Sequence, residues 1–450
     1  MNPADTIAAV ATPPGAGGLA VVRLSGRQAL SVADRCLRSS GGRLPSGFQP
    51  RMAVFGEVVR DGVRVDDVVV TVFRGPKSFT GEDTVEVACH GGVLVTRRVL
   101  ETLLVSGARP AEPGEFTCRA FLNGRMDLAQ AEAVADVIHA QTDRALGTAR
   151  AQLAGALSRR IEALRDALMS VLAHIEAHID FPDEDITPDT TRVLSARLTT
   201  ALEGIDALLR TAREGRFLRH GVRTALVGRP NAGKSSLLNR LLGHDRAIVS
   251  PVAGTTRDTL EEVAQVRGIP LVLVDTAGLR ESDDLVEREG IRRSREAAAE
   301  AELILHVVDA AVPWCAEEEA LATAWSGKGR ICVANKCDLP GALPVPGAIP
   351  VSCRTGAGLE ALEQAIEERL VSGGVGPGDD GVAIGVRHQR VLERAREAVL
   401  QTRSGLEQHQ TLELVAFELR VALTALGEVV GKTSVDDLLD SIFSQFCLGK

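Results

Sequence analysis

No tyrosine occurs in the 450-residue chain, and aromatic residues make up only 3% of it. Few rings are therefore available for the base-stacking platforms that grip single-stranded nucleic acid. A basic excess is also lacking, since the formal net charge is -9. That argues against affinity built on wholesale counterion release, although a local basic face could still hold RNA. The eight cysteines, Cys36, Cys89, Cys118, Cys315, Cys332, Cys337, Cys353 and Cys447, include no C-x-x-C pair. A structural zinc site is accordingly not expected. They read mostly as buried thiols of a reducing compartment. The opening residues have no basic segment ahead of an apolar run, so no secretory leader is expected. No stretch approaches a membrane span, and a cytoplasmic location is expected.

What is present is an ordinary globular profile, 45% hydrophobic and 25% charged. The length suffices for two to four domains with cores of their own. AVVRLSG (20–26), VDDVVVTVF (65–73) and DTVEVACHGG (83–92) are β-branched runs closed by glycine. VLVTRRVLETLLVSG (93–107) predicts a helix stopped by Gly107. Residues 1–118 thus form a mixed α/β domain. From Asp127 to Asp180 there is no proline, and Leu153, Leu157, Ile161, Leu164, Leu168, Val171, Ile175 and Ile179 mark one apolar helix face. A second helical stretch, about 189–213, carries Leu198, Leu202, Ile205 and Leu208. Residues 119–216 therefore read as the first half of a helical bundle.

The segment 217–372 changes character. Short apolar strands at 222–228, 270–275, 303–309, 331–335 and 349–352 alternate with helices. That alternation predicts a largely parallel sheet with crossover helices. SGGVGPGDDG (372–381) reads as a flexible linker. Helical pattern resumes over about 387–446, with a turn near Gly405, so 373–450 is the second half of the helical domain.

Three ordered motifs occupy the central segment: GRPNAGKS (228–235), DTAG (275–278) and NKCD (335–338). The first follows a strand and opens a helix, the setting in which a glycine-rich loop closes backbone N–H groups around phosphates. Lys234 is expected on the β- and γ-phosphates, and Ser235 on magnesium. Asp275 supports the magnesium site, and Thr256 is the expected second-loop threonine. Asp338 can accept from the guanine ring N–H and exocyclic amine, a donor pair adenine lacks. Lys336 would pack along the base, with Ser352 in support. The expected GTP contacts are Asn231, Ala232, Gly233, Lys234, Ser235 and Ser236. They continue through Ser250, Pro251, Val252, Ala253, Gly254, Thr255 and Thr256, then Asp275, Thr276, Ala277 and Gly278. Asn335, Lys336, Asp338 and Ser352 complete them.

Catalysis is less direct. Leu279 follows DTAG, where Ras-like proteins place a water-positioning glutamine. The catalytic group must then come from elsewhere. ESDDLVEREG offers Glu281, Asp283, Asp284, Glu287 and Glu289, as catalytic carboxylates or as a solvated acidic loop. Asn231, Ser250, Val252 and Thr255 collect neutral oxygens that suit a weakly hydrated monovalent cation. The alternative is that Asn231 only braces its loop.

The flanks narrow the reading. DTIAAVATPPGAGGLAVVRLSG (5–26), SFTGEDTVEVACHGG (78–92), PGEFTCRAFLNGRMDLAQAEAV (113–134) and FCLGK (446–450) are not general GTPase motifs. With them the chain resembles the MnmE (TrmE) family of tRNA-modification GTPases over essentially its full length. The resemblance implies an N-terminal α/β folate-binding and dimerisation domain, a discontinuous helical bundle and an inserted Ras-like P-loop G domain. It implies a potassium-stimulated GTPase whose G domains meet across a homodimer, with Asn231, Ser250, Val252 and Thr255 on potassium and Glu287 as catalytic carboxylate. It places a 5-formyl- or 5,10-methylene-tetrahydrofolate on Arg23, Glu82, Arg125 and Lys450, with Cys447 as a thiol of chemical or structural role. It further implies an FAD-dependent partner, MnmG (GidA), in a heterotetramer that modifies carbon-5 of the wobble uridine of certain tRNAs. A ribosome-assembly GTPase switch is the competing reading; the folate-like flanks and terminal cysteine disfavour it.

Overall fold

The computed structural model describes residues 5–180, 188–244, 262–274, 298–325, 329–370, 381–432, 439, 442–444, 446–447 and 449. The chain divides into one unit of Met1–Ala135 with Leu426–Lys450 and another of Asp136–Ala425. Among the described residues no helix is long and apolar enough to cross a membrane.

In the first unit, alternating side chains build a two-faced sheet. Its strands are β1 (Ile7–Val10), β2 (Leu19–Ser25), β3 (Leu37–Ser39), β4 (Ala53–Arg60), β5 (Val63–Phe73), β6 (Thr84–His90) and β7 (Arg109–Pro110). They lie in the order β3-β4-β5-β6-β2-β1-β7. Only the β1–β7 pair is parallel. Helices α1 (Ala29–Cys36) and α2 (Val93–Val105) cover one face, where Val22, Leu24, Val70, Val72, Val85 and Val87 pack with Leu30, Val99 and Leu103. The side-chain period of two sends the intervening residues to the opposite face. Arg23 is registered with Glu86 there, and Ser25 with Thr84. Ile7 and Ala9 share that face and pack on Phe116 of α3 (Glu115–Leu122). Helix α4 follows (Leu128–His139).

The C-terminal residues belong to this unit, whereas the sequence grouping put them with 373–450. The reason is local packing. Phe443 is fully buried, and its carbonyl lies against Gly114, whose φ of 68° turns the chain into α3. A Cβ at Gly114 would stand 2.5 Å from that oxygen.

The second unit joins a helical group to a parallel sheet. The proline-free run splits into α4, α5 (Asp143–Leu153) and α6 (Ala156–Asp180). Thr142 caps α5 by accepting from the Ala145 N–H at 3.1 Å, and Gly155 separates α5 from α6. Helices α7 (Pro188–Arg210) and α8 (Ala212–His220) follow. The stripe Leu157, Ile161, Leu168, Val171 and Ile175 of α6 is buried, as is Leu194, Leu198, Leu202, Ile205 and Leu208 of α7. These two helices pack together. Each such side chain contributes about 1.5–3 kcal/mol of burial.

The sheet follows: β8 (Val222–Val227), α9 (Lys234–His244), β9 (Glu262–Val266), β10 (Ile269–Val274), β11 (Leu303–Asp309), α10 (Ala316–Ala324), β12 (Gly329–Asn335), β13 (Ala348–Pro350) and α11 (Leu359–Leu370). Strand order is β13-β12-β11-β8-β10-β9, parallel except for β9 against β10. β9 is absent from the sequence-based strands because EVAQV lacks a long apolar run. Helices α12 (Val386–Glu407) and α13 (Leu412–Val430) follow, with their turn at Gln408 to Thr411, just beyond Gly405.

The β9–β10 turn is fastened to the helical group. Thr142 Oγ1 donates to the Gly268 carbonyl at 2.7 Å. Arg144 pairs with Glu214 of α8 at 2.5 Å and with Glu367 of α11 at 3.3 Å, and Arg267 also reaches Glu367. The Glu214 side chain is 8% exposed and that of Arg144 19%. Removing one partner of a buried pair strands the other charge. Arg144→Ala is therefore expected to destabilise the protein by about 3 kcal/mol. The check is a urea-unfolding midpoint; a midpoint within error of the parent protein would refute the fastening role.

Candidate functional site: a guanine-nucleotide half-site and a carboxylate cavity

The phosphate loop lies between the end of β8 and the start of α9. Its backbone is bent in ways that expose N–H groups: φ is 145° at Gly228, 61° at Asn231 and 95° at Gly233. Gly228 and Gly233 have no room for a side chain, since a Cβ would strike the Val307 carbonyl or Asn335 Nδ2. Successive N–H groups and a helix N-terminus together favour an anion. Lys234 Nζ donates to the carbonyls of Gly228 at 3.0 Å and Arg229 at 2.9 Å. Burial lowers its pKa from the ordinary lysine value. Ser235 and Ser236 are exposed in the first turn of α9, and Ala232 is buried beneath the loop.

Asn335 joins this loop to the base loops. It is 2% exposed at the end of β12. Its Nδ2 donates to the Ala232 carbonyl at 3.0 Å, and its Oδ1 accepts from the Cys353 N–H at 3.2 Å. Asp338 accepts from Ser352 Oγ at 2.7 Å and pairs with Arg354 at 3.1 Å. The Ser352 hydrogen bond holds the Asp338 carboxyl below its usual range, with help from Arg354. An ionised Asp338 presents acceptors only, as a donor pair on a purine requires. Lys336 adopts φ 64° and its ammonium meets Asp309 at 2.6 Å. Burial pushes Asp309 up, but the hydrogen bonds from Lys336 and the Ala311 N–H outweigh it and lower its pKa. Asp309 escaped the sequence reading because it acts on Lys336 from the end of a different strand.

The rest of the expected nucleotide set lies outside the described residues. That applies to Ser250, Pro251, Val252, Ala253, Gly254, Thr255, Thr256, Asp275, Thr276, Ala277, Gly278 and Glu287, and also to Lys450.

Arg23 and Ser25 lie on the sheet face of the first unit opposite α1 and α2, and Glu82 is bonded to Ser25 there. Arg23 Nε donates to Glu86 at 3.0 Å, its Nη1 donates to the Gly449 carbonyl at 3.3 Å, and its guanidinium stands 5.5 Å from the Phe79 ring centre. Glu82 lies in the turn before β6 and accepts from Ser25 Oγ at 2.8 Å and from Arg119 at 3.2 Å. It faces a cavity of about 410 Å³ lined by Arg27, Gly81, Glu82, Asp83, Arg119, Leu122 and Asn123. The exposed Arg125 packs its methylenes toward Gly81, beside that cavity. Cys447 is an exposed thiol. Glu86 and Arg119 were not picked from sequence. Glu86 was legible as the strand partner opposite Arg23; the burial of Arg119 was not.

The comparisons agree along the whole chain. The family description "MnmE helical domain" matches residues 128–447 and "GTP-binding protein TrmE N-terminus" matches residues 6–125. The chain is 50% identical to the tRNA modification GTPase MnmE of Akkermansia muciniphila, with all of both chains covered. It is 47% identical to that of Symbiobacterium thermophilum and 46% to that of Geobacter sulfurreducens, each over 99% of both chains. A chain that carries both family regions and aligns end to end at this identity belongs to the MnmE (TrmE) family of tRNA-modification GTPases.

Proposed function

We propose that this GTPase acts in modifying carbon-5 of the wobble uridine of certain tRNAs, as a homodimer working with an FAD-dependent partner of the MnmG type. A reduced folate supplies the one-carbon unit, and GTP hydrolysis drives a potassium-dependent meeting of G domains. The observation that carries the nucleotide half is Asn335, which ties the phosphate loop to the base loop beside an ionised Asp338.

In this reading Lys234 moves from its loop carbonyls to the β- and γ-phosphates, and the Asn231–Ser235 N–H groups surround them. Asp338 takes the guanine N–H and amine, with Ser352 fixing its carboxylate and Lys336, steadied by Asp309, along the base. Ser235 and Thr256 would hold magnesium. Asn231, Ser250, Val252 and Thr255 would hold potassium. The donor chemistry fits: Ser235 stands exposed beside Lys234, and Asn231 is turned outward by a left-handed backbone. Cations bound there offset negative charge on the phosphates. Glu287 orients the attacking water in place of the missing glutamine.

The folate half rests on the first unit. Glu82 offers a carboxylate to the pterin donors, while Arg23, Arg125 and Lys450 meet its polar edge or glutamate tail. A cavity lined by the Glu82 carboxylate and the Arg27 and Arg119 guanidinium groups suits a ligand that carries N–H donors at one end and carboxylates at the other.

Asp338→Asn exchanges an acceptor pair for one donor and one acceptor. GTP affinity should fall at least about tenfold, since each charged hydrogen bond is worth about 1.5–3 kcal/mol. Xanthosine triphosphate, whose ring offers one donor and one acceptor there, should gain; titration of both nucleotides decides it. Glu287→Ala should keep GTP binding and lose about 10²–10⁴-fold in hydrolysis in potassium medium. Normal turnover, or equal parent-protein rates in sodium and potassium, would remove the assigned carboxylate or the cation respectively. The whole reading is tested by mass spectrometry of wobble nucleosides from a strain lacking the protein. Unmodified uridine is expected at the affected position; an unchanged profile sinks the tRNA assignment.

A further inference from the structure

A chain of alternating charges runs beneath the cavity of the first unit. Asp5 pairs with Arg109 at 3.1 Å, and Arg109 with Glu115 at 2.7 Å. Glu115 pairs with Arg119 at 2.9 Å, and Arg119 with Glu82 at 3.2 Å. Glu115 is fully buried, and its carboxyl stays below the usual range: burial pushes it up, but Arg109, the Glu112 N–H and Arg119 outweigh that. Arg119 is 3% exposed, whereas Glu82 keeps 13% and faces the cavity.

The guanidinium of Arg119 is held from behind on two sides. Its Nη2 donates to Glu115, and its Nη1 donates to the Asp5 carbonyl at 2.8 Å. The same Nη1 lies 3.2 Å from both oxygens of Glu82. Ser25 Oγ adds one bond to Glu82 Oε2. A carboxylate has about four lone-pair directions; Arg119 takes one on each oxygen and Ser25 a second on Oε2, so about one acceptor, on Oε1, is left for the cavity. Its plane is set by a group that cannot itself rotate.

We propose that Arg119 is a positioning residue that aims the remaining acceptor of Glu82 at the exocyclic amino donor of a 2-amino-4-oxo heterocycle. The inference rests on the reading that this unit binds a reduced folate. It concerns how the ligand edge is read, through a residue that does not itself touch that edge. The other charged groups facing Glu82 are Arg27, Asp83 and Arg125. Asp83 is engaged by the Gly75 N–H and Arg74, and Arg27 and Arg125 lie at the exposed rim. The aiming of Glu82 therefore falls to Arg119 and Ser25.

The test compares two probes on the full-length protein: 5-formyl-tetrahydrofolate and its 2-desamino analogue. A well-aimed carboxylate should prefer the amino compound by about 10-fold or more, the worth of one charged hydrogen bond. Arg119→Gln is expected to weaken 5-formyl-tetrahydrofolate and collapse the preference to about twofold, with the desamino compound little changed. A purely structural role would weaken both probes together and keep the ratio. An unchanged ratio in a folded Arg119→Gln protein overturns the proposal. Should that variant fail to fold, Arg119→Lys carries the decision. It keeps the charge but loses the fork, so the ratio should fall to a few-fold, and a ratio equal to that of the parent protein overturns the proposal. Failure of the parent protein to bind 5-formyl-tetrahydrofolate would instead overturn the folate reading beneath it.

Discussion

One buried carboxamide holds the nucleotide site together. Asn335 satisfies a carbonyl of the phosphate loop with its amino group and an N–H of the base loop with its oxygen. The bond to the Ala232 carbonyl is buried and that from the Cys353 N–H partly so, and Asn335 itself is buried, so a shift of either loop leaves a polar atom of its side chain unmatched. The parallel sheet supplies the placement. Asn335 and Asp309 end neighbouring strands β12 and β11 in register. One then anchors the phosphate loop, and the other anchors the lysine that flanks the base. Loop geometry at this site is therefore a property of strand ends rather than of the loops alone.

The first unit solves a different problem by the same device. Its sheet commits one face to a valine-rich core and leaves the other to polar residues at alternate positions. A face of that kind would be costly if its charges were single. Here they alternate in sign from Asp5 to Glu82, so each buried group has a partner of opposite charge. Such networks add little net stability relative to an apolar core. What they provide is a carboxylate fixed in direction at the rim of a cavity.

Much of this was legible in the residues. Period-two runs located β2, β5 and β6, and apolar runs located the central parallel strands. The same patterns imply which face each side chain takes, so the opposition of Arg23 and Glu86 was readable in principle. Other features were not. β9 is short and half polar, and it exists because β10 offers it an edge. The break at Thr142 carries a cap signal, Thr followed by Asp, but no proline marks it within the run from Asp127 to Asp180. Arg119 looks like a surface cation four residues from a glutamate on an amphipathic helix. Only tertiary packing turns that i,i+4 pair inward, because β1 and the turn before β6 close over it. The phosphate and base motifs were visible as strings, whereas Asp309 became visible only once two strands stood side by side.

The chain leaves the first unit at residue 135 and returns to it at residue 426. An arginine on its second strand bonds the carbonyl of Gly449, and Phe443 fills the turn before α3. During synthesis the first strands therefore emerge long before the residues that complete their packing. Loss of the Phe443 or Gly449 contacts would therefore disturb the packing of the first unit, although the whole second unit separates those residues from its strands along the chain.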